Sequence, residues 1–289
     1  MIPNNNLSVL PWYTSIGQQN ARKWWIYNRV YPLFTPAGYI LPFQILLPYT
    51  ANPSMTACVL YNATTDTIID YSVAIKLTDT GFVFKQFSSL GYTVGVYPGQ
   101  LPAFASFENG QYYLKMTING ADYISEIFTV VNDIEPYLKI EWWDNDDFAM
   151  DAGVIVYKNP AFKNVLYLQA DIAKPDYLFD EEGETRDGYF FPTKQISEKR
   201  YRFSFFASEY LLDVIRLIRM ADYSKITNSG QTYSLDTFLI SPEWEDNGDV
   251  AAVDAEFDTA TVAKKINVGY VKGQRGDFND DFNNDFNNQ

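Results

Sequence analysis

The sequence predicts a mainly β protein: an N-terminal immunoglobulin-like β-sandwich, then a second β-rich domain with one principal α-helix, and extended terminal arms. Three observations lead there. Aromatic residues are abundant (22 Tyr, 21 Phe and 6 Trp), and such side chains suit a pleated, half-buried surface. Short apolar runs are separated by turn residues, with Asn109-Gly110 and Asn119-Gly120 ten residues apart. Asn-Gly readily takes the positive φ angles of a two-residue hairpin turn. A helical stripe stands out once, over Tyr210, Leu211, Val214, Ile215, Leu217 and Ile218, with Asp213, Arg216 and Arg219 on the other side.

Residues 1–36 read as an arm. Asn4, Asn5, Asn6, Gln18, Gln19 and Asn20 are interleaved with Trp12, Trp24, Trp25, Tyr27 and Tyr31. A polar segment studded with Trp builds no core of its own, so Trp12, Trp24 and Trp25 are candidate anchors on another surface. Residues 37–133 read as the sandwich, with strand-like runs at 39–49, 55–61, 67–77, 81–87 and 92–97. Phe104–Phe107, Tyr112–Ile118 and Tyr123–Val131 then form a meander through the two Asn-Gly turns. Residues 134–271 form the second unit. Its strands are expected at Tyr137–Trp143, Val165–Ile172, Arg200–Phe206, Tyr233–Ile240 and Val250–Val262. The helix near 208–221 is capped by Ser208, with Glu209 at its positive end. Residues 272–289 are a low-complexity tail in which Asp-Phe-Asn recurs around Phe278, Phe282 and Phe286. Three Phe cannot form a core, so the expectation is that they dock on a partner.

Composition narrows the chemistry. A net charge of −14 opposes binding to phosphate backbones, so specific nucleic-acid binding is not expected. The chain has no histidine, which removes His-based triads and most zinc or haem sites. No phosphate loop, nucleophile elbow or dinucleotide fingerprint is present, and neither enzymatic activity nor a cofactor is expected. Asp144-Asn145-Asp146-Asp147 with Asp151 offers oxygen ligands, yet it lacks the Gly and terminal Glu of a calcium loop. This run, Asp180–Glu184 and Glu243–Asp249 read as solvated acidic loops. Trp142-Trp143 and Trp24-Trp25 could stack on sugars, but neighbours on a strand face opposite ways, so one of each pair belongs to the core. The lone Cys58 reads as a small buried thiol. Asn62-Ala63-Thr64 matches a glycosylation sequon and Arg275-Gly276-Asp277 an adhesion tripeptide, and both are short chance matches. The first residues show no secretion signal, and the apolar run Tyr39–Tyr49, broken by Pro42 and Gln44, is too short for a membrane span. The expected setting is a reducing interior, with no membrane contact.

The stretch Tyr177–Pro192 continues through Lys199–Phe205, Glu209–Asp213 and Arg216–Ile218, and closes with Trp244, Gly248–Ala251 and Phe257. In these residues the second domain resembles virion structural proteins of tailed phages that infect Bacteroidetes, crAss-like phages included. The resemblance implies a non-enzymatic ring component of the neck or tail, synthesised in the bacterial host cytoplasm and incorporated in the virion. Its partners would be further copies of itself and other neck or tail proteins, around a DNA passage that its acidic surface would keep from sticking. The competing reading is a carbohydrate- or receptor-binding β-sandwich module. Glycan binding that depends on tryptophan would favour it.

Overall fold

The structure, a computed structural model, describes residues 8–14, 33–99, 109–145, 148–150, 153–244, 250–259 and 263–266. It is mainly β. In chain order the strands are β1 (Trp12–Tyr13), β2 (Phe34–Pro36), β3 (Phe43–Pro48), β4 (Met55–Asn62), β5 (Ile68–Asp70), β6 (Val83–Phe87) and β7 (Tyr92–Tyr97). There follow β8 (Gly110–Ile118), β9 (Ala121–Ser125), β10 (Phe128–Val131), β11 (Leu138–Trp143), β12 (Phe148–Met150), β13 (Gly153–Ile155) and β14 (Asn164–Leu168). The last are β15 (Asp176–Arg186), β16 (Tyr189–Ser208), β17 (Tyr223–Asn228), β18 (Gln231–Trp244), β19 (Val250–Thr259) and β20 (Ala263–Ile266). Among the described residues there are two short α-helices, α1 (Val73–Asp79) and α2 (Glu209–Ile215).

The chain divides into two compact units, which cut across the four segments expected from sequence. Unit 1 is Met1–Lys174 with Tyr201–Ala260, and unit 2 is Pro175–Arg200 with Thr261–Gln289. The expected boundary at 133/134 is not a break in the sheet. In unit 1, β2 pairs in parallel with β10 and antiparallel with β14, so one sheet order runs β9-β8-β10-β2-β14-β11-β17-β18-β19. The segment 33–36, assigned to an arm, is thus an internal strand. Its Leu33 and Phe34 are buried, and the sheet offers its backbone ladder partners on both sides.

Strands β3 to β10 build a β-sandwich. One sheet is β3-β7-β6 and the other carries β4 and β9/β10 on either side of β8. Phe43, Ile45 and Leu47 from the first sheet share a core with Cys58, Leu60, Leu114 and Met116 from the second. The opposite face of β3–β7 is covered as well: Val94, Val96 and Leu46 pack with Ile155, Val156, Phe162 and Leu217. Asn119 (φ 51°) and Gly120 (φ 77°) make the turn expected between β8 and β9. Gly110 differs. It lies inside β8 opposite Val130, without a left-handed φ, and the run Phe104–Phe107 lies outside the described residues.

A second correction falls on 67–77. Only Ile68–Asp70 is strand, and 73–79 is helical. Val73 and Leu77, four residues apart, bury one stripe, while Asp70 accepts bonds from Ser72 N (2.7 Å), Ser72 Oγ (2.6 Å) and Lys76 Nζ (2.5 Å). That carboxylate organises the first turn from three residues ahead of the helix.

The helix expected at 208–221 is present as α2 followed by a 3₁₀ segment, Arg216–Met220. Leu211, Val214, Ile215 and Ile218 are buried with Phe203, Phe205, Phe238 and Phe257 of the surrounding sheet. Ser208 has the extended backbone of a cap, although its hydroxyl makes no capping bond.

Candidate functional site

Unit 2 holds the most unusual surface. Asp187 (φ 52°) and Gly188 (φ 82°) form a left-handed two-residue turn, and β15 and β16 pair antiparallel from Asp176↔Arg200 to Arg186↔Tyr189. β20 adds on the other side of β16, from Lys194↔Ile266 to Ser197↔Ala263. One register break interrupts the hairpin, between Glu182 and Gly183. A Cβ at Gly183 would run into the Phe191 carbonyl and come within 2.8 Å of the Phe190 ring. Only glycine lets the strands close over that aromatic edge.

The ribbon carries apolar side chains that stay exposed among the described residues. Tyr177 is 60% exposed, Phe179 and Tyr189 are each 72% exposed, and Leu178, Phe190 and Phe191 are exposed too. Strand alternation puts Tyr177, Phe179 and Phe190 on one face and Leu178, Tyr189 and Phe191 on the other. Both faces are therefore apolar in part. Between these groups run charges: Lys194 Nζ donates to Glu182 Oε1 (2.8 Å), Gln195 Nε2 donates to Glu181 Oε1 (2.8 Å), and Lys199 lies over the Tyr177 ring. The bond from Lys194 to Glu182 raises the ammonium pKa. Asp180–Glu184, expected as a solvated loop, is strand.

Of the anchors expected in the arm, Trp12 is only 4% exposed. It packs on Phe43 at 4.8 Å, within its own chain, because β1 pairs with β9 (Trp12↔Ser125). Tyr13 reinforces this by donating to the buried Glu126 carboxylate (2.6 Å). Trp12 is thus an internal anchor and offers no surface to a partner. Trp24, Trp25, Phe278, Phe282 and Phe286 lie outside the described residues.

Of the two tryptophan pairs, only Trp142-Trp143 lies in the described residues. Trp142 is fully buried, as one of that pair was expected to be. Trp143 is half-buried, stacked on Tyr223 (5.4 Å, 15° between planes), and carries Lys163 and Lys225 over its ring. In unit 1 an open cleft of about 380 Å³ is lined by Tyr39, Lys139, Glu141, Lys163 and Tyr167. Glu141 is already bound to Lys139 (2.9 Å), and burial pushes the Tyr167 hydroxyl up to about 12, with Glu141 adding to the shift.

At the acidic run beginning at Asp144, the two described residues bond to the segment 222–223, with Asn145 Nδ2 donating to the Tyr223 hydroxyl (3.2 Å). Asp144 Oδ1 accepts from Asp222 N, and Asn145 N donates to Asp222 Oδ2. Among the described residues no group of three or more potential ligands could hold a metal ion. Cys58 is buried and burial raises its pKa, as befits a packed thiol. Among the described residues no helix is long and apolar enough to cross a membrane.

The hairpin was missed from sequence because its strands are acidic and charged residues are poor strand signals. Asp187-Gly188, a two-residue hairpin signal followed by Tyr189-Phe190-Phe191, was the available clue. No protein-family model matches the chain, and no curated protein matches it at a significant level.

Proposed function

We propose that this chain is a non-enzymatic structural protein of a phage virion, a ring component of the neck or tail that assembles through its β units and its terminal segments. One observation carries the reading: the unit 2 ribbon exposes aromatic side chains on both faces. Between Gly183 and Pro192 the ribbon has two strands among the described residues, a pairing that is marginally stable in water by itself, and burying each such side chain would contribute about 1.5–3 kcal/mol. A surface of this kind favours assembly, and the resemblance to phage virion proteins begins in the same residues, Tyr177–Pro192. The partners are further copies of the chain and other neck or tail proteins. The acidic character fits a component that surrounds DNA without gripping it.

The test is the mass of the purified chain in solution across a wide concentration range, together with a reconstruction of the particle. Concentration-dependent association and density for this fold in the neck or tail are expected. A chain that stays monomeric throughout and binds soluble glycans in a Trp143-dependent way would overturn the reading.

A further inference from the structure

Unit 2 has two unlike sheet edges. β15 contains five acidic residues and one basic residue, in the sequence DYLFDEEGETR, whereas β20 is AKKI, with two lysines and no acid. Among the described residues no strand pairs with the outer side of either. An open strand edge is a template for another strand. The charges also stand in register. Asp180 pairs with Ile196, which pairs with Lys264; Glu181 pairs with Gln195, which pairs with Lys265. Acidic and basic positions therefore occupy the same two rows at opposite edges of one sheet. β15 and β20 both run antiparallel to β16, so they run parallel to each other.

We infer that the β15 edge of one copy receives the β20 edge of the next, continuing the sheet head to tail. This rests on the assembly reading above and names the surfaces and the sense of the contact. A copy displaced sideways without slipping along the strands brings Lys264 opposite Asp180 and Lys265 opposite Glu181, in parallel pairing. The two-fold alternatives are disfavoured. β15 against β15 sets acid against acid, and β20 against β20 sets lysine against lysine, with like charges across the junction. The contact is heterologous, so repetition closes a ring or extends a filament. The acidic residues of β15 thus reject a second β15 while admitting β20.

The experiment is sedimentation of the full chain and two reversal variants, Lys264→Glu/Lys265→Glu and Asp180→Lys/Glu181→Lys. Each variant alone carries like charges on both edges and is expected to associate roughly tenfold or more weakly than the natural chain. Mixed one to one, the variants should associate again, as should a chain carrying all four changes. Recovery on mixing also shows that each variant is folded. Raising salt from about 0.1 M to about 1 M, which cuts the Debye length from about 10 Å to about 3 Å, should weaken the natural assembly. If the natural chain associates but the reversals and their mixture behave like it, the edge pairing is wrong and the assembly reading stands. Association only when another virion protein is added would assign the edges to that protein and overturn pairing between copies. If the natural chain remains monomeric throughout with and without such proteins, the assembly reading fails and this inference with it.

Discussion

Gln44 interrupts the apolar run Tyr39–Tyr49, and its role is internal. Its amide donates to the Val156 carbonyl (2.8 Å) and accepts from Val156 N (3.0 Å), tying β3 to the segment after β13. Gln44→Leu keeps the volume but leaves both backbone groups of Val156 without these bonds. The expected loss is about 2–4 kcal/mol, read as a lower urea midpoint. Asp70 makes a pH-dependent contribution. Burial alone would raise its pKa, but hydrogen bonds from Lys76 and Ser72 and the Lys76 charge hold it below 3.8. A lowered folded-state pKa means stability that is present above the unfolded value and lost as pH falls through the folded one. Asp70→Asn should therefore cost about 1 kcal/mol at pH 7. That gap should shrink as pH drops below 3.8, measured by denaturant titration across pH. A constant gap would assign the effect to something other than the charge.

At the scale of elements, α2 and the β15–β16 hairpin are opposite cases. α2 is short and holds only through its buried stripe, with Ile215 fully buried. Ile215→Asp puts an unpaired charge there and should cost about 4 kcal/mol, seen as a large loss of melting temperature or of soluble protein. The hairpin instead depends on its turn and its glycine. Gly183→Ala should cost about 1–3 kcal/mol locally through overpacking, visible as faster amide exchange over 176–200. The unfolding midpoint of unit 1 should barely move, since its core includes no residue from 175–200. Equal loss across the chain would contradict that separation.

At the scale of the whole molecule, the proposed assembly extends to the C-terminal segment. We propose that residues 272–289 act as a clamp, with Phe278, Phe282 and Phe286 seated on a neighbouring subunit or another virion protein. A chain truncated at Lys272 should retain its thermal midpoint and lose association, measured by sedimentation. Normal assembly of the truncated chain would remove the clamp from the account. Because β20 lies before the truncation, this outcome is independent of the charge reversals on Asp180, Glu181, Lys264 and Lys265.

Local information fixed much of this protein. The aromatic, alternating runs specify β4, β7, β8, β11 and β19 near their observed positions. Asn119-Gly120 specifies its turn through positive φ alone, and the stripe around Ile215 specifies a helix, because these depend on residues close in the chain. What only the tertiary structure decided depends on partners distant in sequence. Ladder partners at 124–125 made an edge strand of the segment around Trp12, and partners at 129–131 and 167 made an internal strand of the one around Phe34, although both segments look like an arm. Burial of Val73 and Leu77 turned an apparent strand into α1. The ribbon with unlike edges was hidden for the same reason. Acidic residues signal solvent locally, and only the register across β15, β16 and β20 sets Asp180 and Glu181 in line with Lys264 and Lys265.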